Sequence, residues 1–312
     1  MNTVILSFNI ISPLMILLAI GYLLKQKNLI SSKTTSEMNS LVYSLLLPMS
    51  IFINIYQSDF KTDFDVKLIV FSVIALILIT IAITITTLFI TSDPSKRAAI
   101  IQASFRGNFV IFGLPLAINL YGKGISGMMS IVIAFFGPLA NILAVLVLEI
   151  FGDKKIEVRK IIFDVIKNPM IIASVSAIIL VLSGIKLPLF AEDTAIVISD
   201  ATTTISLILL GSSFKFKQEI EDIKLISFGV LNKLLIFPAL VVTVAVLLGF
   251  RNAQLAVIMT LFTAPSAISC FPMAARLGAH KEITSGILVY SYAFCIVTIF
   301  GFIIVLKTMN LI

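Results

Sequence analysis

Apolar residues along this chain arrive in runs of about 20, each closed by a short loop of charged or turn-forming residues. Ten such runs occupy 4–24, 37–56, 67–91, 98–119, 125–150, 165–184, 194–213, 224–249, 253–276 and 282–306. Runs of that length match a hydrocarbon layer roughly 30 Å thick crossed by a helix rising about 1.5 Å per residue. Strands of an outer-membrane barrel would instead alternate apolar and polar positions over about ten residues, and these runs do not alternate. The pattern predicts an all-α polytopic membrane protein with ten transmembrane helices. The fourth and ninth runs are the least hydrophobic and the richest in Gly, Pro, Ser and Thr.

The loops set the expected orientation, because Lys and Arg accumulate on the cytoplasmic side. Alternate loops collect Lys25, Lys27, Lys33, Lys96, Arg97, Lys154, Lys155, Arg159, Lys160, Lys167, Lys215, Lys217, Lys224, Arg276 and Lys281 on one side. The other side holds only Lys61, Lys67, Lys123, Lys186, Arg251 and Lys307. The richer side is expected in the cytoplasm, with both termini extracytoplasmic. The longest inside loop divides the chain into a first five-helix repeat, 1–151, a cytoplasmic linker, 152–167, and a second five-helix repeat, 168–312. With five spans per half, the second half must enter the membrane from the opposite side, so the repeat is expected to be inverted. A trace of it is visible: Phe105 stands ten residues before Pro115-Leu116-Ala117, and Phe262 ten before Pro272-Met273-Ala274, with Gly122 and Gly278 following.

Composition agrees with the pattern. Hydrophobic residues make up 59% and charged residues 12%, about half the charged fraction of a soluble chain. The net charge of +7 does not signal nucleic acid, since the cations lie between apolar runs rather than on one face. Cys270 and Cys295 fall inside apolar runs at no metal-ligand spacing, which predicts neither a disulfide nor a metal site. No signal peptide is expected, for want of a basic n-region and a small-residue cleavage site. The sequence has no phosphate loop of the G-x-x-x-x-G-K-[ST] form and no HExxH, CxxC or nucleophile-elbow pattern, so an enzyme is not expected. His280, the one histidine, is read as a solvated loop residue, and Met128 and Met129 as filler.

Candidate chemistry concentrates in the two unusual runs. The fourth carries Arg106, Gly107, Asn108, Gly113 and Pro115, and a proline inside a span removes a helix hydrogen bond, placing the expected break at Pro115. The ninth carries Thr263-Ala264-Pro265-Ser266 and then Pro272. Interrupted helices at matching positions of two halves point to a substrate site, because backbone freed at membrane depth must be satisfied within a protein-lined cavity. Arg106 and Lys233 are the two basic residues well inside spans, and Asp200 is the clearest candidate for a buried acid. A charge at the bilayer centre costs at least about 2.5–3.5 kcal/mol, so each needs a cavity or a partner. Arg106 could fork its guanidinium around a carboxylate, Lys233 could add a second positive charge, and Asp200 could carry a coupling proton. Alternatively Lys233 and Asp200 pair structurally, or Lys233 snorkels to the interface.

Taken together, Gly21-Tyr22-Leu23-Leu24-Lys25, Asn39-Ser40-Leu41-Val42, Leu47-Pro48, Ser104-Phe105-Arg106-Gly107-Asn108, Gly113-Leu114-Pro115-Leu116, Tyr121-Gly122, Ser199-Asp200-Ala201, Leu210-Gly211 and Ala264-Pro265-Ser266 resemble the auxin efflux carrier family, the bacterial relatives of the plant PIN transporters. The resemblance covers essentially all ten spans. It implies a fold shared with bile acid–sodium symporters, in which the fourth and ninth helices are broken and cross at the substrate site, and one helix group moves as an elevator against a scaffold. It also implies that Asn108 matches a substrate-contacting asparagine and Pro265 the proline of the second crossover. Bacterial members are usually assigned small organic acids such as malate or malonate. Plant members carry auxin and have a hydrophobic residue at the position of Arg106, so this chain is expected to take a smaller, more polar anion.

The sequence reading is therefore a secondary transporter or facilitator of small organic anions in the cell membrane. Expected substrate-binding residues are Arg106, Asn108, Gly113, Pro115, Lys233, Pro265 and Ser266, with Asp200 as the proton-relay candidate. No cofactor is expected, and coupling to a proton or a sodium ion stays open. Expected partners are the organic anion, the lipid bilayer and, as a homodimer, a second copy of the chain. The competing class is a membrane sensor that binds such a ligand without moving it.

Overall fold

The structure, a computed structural model, describes residues 2–57, 65–122, 125–151, 166–213 and 220–312. The linker core (152–165), Asp63, and the loop cations Lys61, Lys123, Lys154, Lys155, Arg159, Lys160, Lys215 and Lys217 lie outside the described residues.

Among the described residues the regular structure is helix apart from one isolated bridge, and all ten apolar runs form helix. The elements are α1 (Asn2–Gln26), α2 (Ser32–Leu41), α3 (Leu47–Tyr56), α4 (Val66–Ile90), α5 (Pro94–Phe105), α6 (Leu114–Tyr121), α7 (Ile125–Phe151), α8 (Pro169–Ser183), α9 (Leu189–Ser213), α10 (Ile220–Leu231), α11 (Phe237–Leu247), α12 (Asn252–Thr263), α13 (Cys270–Leu277) and α14 (Lys281–Thr308). Helix starts follow side-chain chemistry. Ser31, Asp65, Asp93, Asn168 and His280 each precede a helix and accept a backbone N–H of its first turn. His280 is thus the N-cap of α14, half-buried rather than fully solvated. Gly184, with φ of 67°, ends α8 in the left-handed conformation that a helix C-terminus favours.

Among the described residues, three widened π-turns occur: Val42–Leu46 between α2 and α3, Phe109–Gly113 before α6, and Asn232–Ile236 between α10 and α11. Each begins six residues before a proline (Pro48, Pro115 and Pro238), which sits second in the α-helix that follows. A proline lacks the N–H that its turn requires and crowds the carbonyl four residues back, and widening the preceding turn relieves both.

Among the described residues, six helical stretches are long and apolar enough to cross a membrane: Ser32–Tyr56, Val66–Ile90, Ile131–Phe151, Leu189–Ser212, Asp222–Leu247 and Lys281–Thr308. Their outward faces leave large apolar side chains uncovered, Phe89 at 85% exposure and Leu247 at 78% among them. Apolar surface so extensive marks contact with lipid. The molecule is a multi-pass helical membrane protein.

Packing sorts the helices into two groups. In the first, α1 lies against α9, and α3 against both α8 and α9. The α1–α9 seam is unusually close: a Cβ added at Gly21 would lie 2.0 Å from the Ile208 carbonyl oxygen, and one at Gly211 2.0 Å from that of Leu18. Small residues at such a seam let helix backbones touch where lipid supplies no hydrophobic drive. Asn168 Nδ2 donates to Tyr43 Oη (2.7 Å) and the Leu187 N–H to Tyr56 Oη (2.8 Å), tying α8 and the start of α9 to the second run. In the second group α4 packs on α5 and α7, α10 on α14, and α11 on α12. Edge-on contacts of Phe136 with Phe109 and with Phe262, centroids 5.3 and 5.5 Å apart, lock α7 to the π-turn before α6 and to α12. A small cluster of Leu18, Leu207, Leu210, Ile268, Phe271 and Tyr292 joins the two groups.

Candidate functional site

The fourth and ninth runs are both broken, and the breaks meet. Helix α5 ends at Phe105 and the chain runs extended through Arg106 to Asn108, while α12 ends at Thr263 and residues 264–269 lead into α13. The two stretches cross antiparallel: the Asn108 N–H donates to the Pro265 carbonyl (2.7 Å), and the Ala267 N–H to the Arg106 carbonyl (3.3 Å). Backbone freed by one break is thus satisfied by the other, as buried backbone requires. The first break falls at Arg106–Asn108, not at Pro115. At Pro115 the helix runs on unbroken from Phe109, its missing N–H accommodated by the π-turn Phe109–Gly113 that precedes it. Gly113 closes the π-turn against α12, where a Cβ would lie 3.1 Å from the Thr260 carbonyl oxygen, so its visible role is close packing.

Arg106, Asn108, Pro265, Ser266 and Lys233 come together at this crossing. Arg106 is 5% exposed; Nη2 donates to Asn141 Oδ1 (2.6 Å) on α7, and Nη1 to the Met273 sulfur (2.6 Å) on α13. Asn108 Nδ2 donates to Tyr292 Oη on α14. The Ser266 hydroxyl donates to the Ala103 carbonyl (2.7 Å), and its N–H to Ser291 Oγ (3.1 Å). Lys233 is 3% exposed in the π-turn between α10 and α11, and its ammonium lies against Gly107, where a Cβ would approach Nζ to 3.1 Å. No hydrogen bond or ion pair among the described residues involves that ammonium; pairs such as Lys33–Glu37 and Lys96–Asp222 lie elsewhere. The buried thiol of Cys270 stands beside both Arg106 and Lys233.

Asp200 does not join the site: the reading of it as a buried acid is corrected, and the alternative that it pairs with Lys233 is not seen either. It shares with Asp193, Val197 and Thr204 an exposed side of α9, away from the stripe through Ala195, Thr202, Ser206 and Leu209 that packs inward. Asn141, Met273, Tyr292, Ser291, Cys270 and Gln102 belong to the crossing without having been singled out as site residues. Only Gln102, a polar amide inside the weak fourth run, and Met273, inside the trace that matches Pro115-Leu116-Ala117 with Pro272-Met273-Ala274, carried any sequence signal.

The crossing gathers positive charge. Two cations are buried within reach of one thiol, and the helical segments beginning at Phe109 and Cys270 turn their N-termini toward it. Such an arrangement could accept an anion, and a planar guanidinium suits a carboxylate. A family model described as Membrane transport protein matches residues 7–161 and 153–303. No curated protein matches the chain.

Proposed function

Because the chain belongs to the membrane transport protein family, that of the auxin efflux carriers, we propose that it is a secondary transporter or facilitator of small organic anions, seated where the two breaks cross. The carrying observation is the pair of buried cations, Arg106 and Lys233, with no carboxylate in an ion pair with either among the described residues. An unpaired buried charge is expensive, so a fold retains two together where an anion enters to balance them.

The packing supports two inverted five-helix repeats, 1–151 and 168–312, joined by the 152–167 linker. The contact of α1 with α9 has its mate in α8 with α3, and that of α4 with α5 in α11 with α12. Exchanging the halves exchanges these pairs. With the crossing inside the second helix group, alternating access follows from that group sliding against α1, α2, α3, α8 and α9, an elevator motion that carries the anion.

Purified protein in liposomes should take up labelled malate, malonate or citrate saturably, and a pH gradient of either sign should reveal whether protons are coupled. Binding without uptake would make the protein a sensor. Neither binding nor uptake of any of the three would overturn the anion reading. Topology has its own test. A cysteine at exposed Lys27 should react with an impermeant maleimide from the cytoplasmic side only, and one at exposed Lys186 from outside only. Labelling of both from one side would sink the ten-span arrangement.

A further inference from the structure

Among the described residues, three buried side-chain atoms have no hydrogen-bond partner: Asn39 Oδ1, Gln102 Oε1 and Ser206 Oγ. Gln102 is the one built into the crossing. It is 0% exposed on α5, one turn before Arg106, whose N–H donates to the Gln102 carbonyl. Its side-chain Nε2 points to the Met273 sulfur (3.6 Å), the same sulfur that receives Arg106 Nη1. Amide and guanidinium therefore flank one thioether, and the amide oxygen is left without a donor. Nearby hydroxyls cannot supply one, since Ser104 donates to the Gly229 carbonyl, Ser266 to that of Ala103 and Thr263 to that of Met259. An acceptor buried without a donor is costly, and leucine or methionine would fill the same space without that cost.

We propose that Gln102 Oε1 receives a hydroxyl group of the bound anion, so that the site selects carboxylates bearing a hydroxyl on the neighbouring carbon. This rests on the organic-anion reading above and adds the substrate class. With the carboxylate on the guanidinium, the amide that shares the Met273 sulfur with it has its oxygen unused, an acceptor for a donor carried on the next carbon of the anion. That donor is a hydroxyl rather than an ammonium, because Arg106 and Lys233 repel a third cation. A site built to hydrogen-bond a hydroxyl discriminates against the analogue lacking it, since the buried acceptor then stays unpaired.

The test is binding to the purified protein of matched pairs, lactate against propionate and malate against succinate, with alanine as the cationic counterpart. The unsubstituted chain should bind the hydroxy member about ten- to a hundredfold more tightly than the deoxy member, and alanine more weakly than lactate. In Gln102→Leu that preference should vanish because the hydroxy acid weakens while the deoxy acid binds as before. Gln102→Met should behave alike should the leucine variant fold poorly. Equal binding of the two members by the unsubstituted chain, or a preference that survives both substitutions, overturns the role of Gln102 while leaving the anion site intact. Failure of every acid to bind overturns the anion site itself, and this inference with it.

Discussion

Lys233→Met should bind organic anions at least about tenfold more weakly than the unsubstituted protein and, when empty, should unfold at a higher temperature. The two effects arise from one feature, a buried ammonium with no acceptor among the described residues. With an anion present its charge is balanced, and losing a charged partner from a buried site costs about 1.5–3 kcal/mol, or roughly ten- to a hundredfold in affinity. With the site empty the same charge is a burden, and an apolar side chain of similar length removes it. Arg106→Gln should lose affinity by the same order but not gain stability. Its guanidinium already satisfies Asn141, whose oxygen would be orphaned at about 1–3 kcal/mol. Ligand titration and thermal unfolding of both variants, each with and without anion, separate the cases. A Lys233→Met protein that melts lower when empty would identify the lysine as a structural tie.

The largest loss of stability should come from a single methyl group far from the charges. Gly21→Ala and Gly211→Ala each place a Cβ 2.0 Å from a backbone carbonyl oxygen of the facing helix, a distance that no rotamer change can relieve. The α1–α9 seam must then open along its length. Overpacking of this kind costs about 1–3 kcal/mol, and more when backbone must move. Either variant should give sharply reduced yields of folded protein and a lower melting temperature. Gly301→Ala on α14 is the control: nothing lies within 4 Å of its added Cβ, and helix propensity favours alanine by about 1 kcal/mol. Equal behaviour of Gly21→Ala and Gly301→Ala would mean that the seam is looser than described.

The helices were legible because lipid demands a long apolar run for each, and the loops because capping residues such as Asp65, Asp93 and Asn168 punctuate them. Arg106, Asn108, Pro265 and Ser266 were legible as site candidates because polar and helix-breaking residues are expensive inside such runs. The position of the first break was not. Pro115 is the loudest local signal, yet the π-turn before it keeps that helix continuous, and the chain actually opens at Gly107, whose lack of a side chain admits the Lys233 ammonium. Asp200 misled for a related reason, since an acid inside an apolar run reads as buried until the packed face of its helix is known. Asn141, Met273 and Tyr292 reach the crossing from the fifth, ninth and tenth runs, and their meeting exists only in the tertiary arrangement.

The π-turn ahead of Pro238 shifts the phase of the helix that carries Lys233. Upstream, Asp222, Leu225, Ile226 and Gly229 trace an inward stripe with the usual spacing of about 3.6 residues. Continued unchanged, that stripe would pass through Ile236 and Leu240, but Leu240 is 57% exposed and Ile236 also faces outward. Phe237, Val241, Val242 and Ala245 are buried instead, one position later. The helix therefore holds one residue more than its number of turns calls for, and everything past the wide turn is rotated by about 100° from where a straight ruler would put it. The surplus is taken up where Asn232, Lys233 and Leu234 are all buried in succession. Three consecutive inward positions are more than a regular helix can offer to one side, and this helix uses the middle one to bring a charge to the crossing.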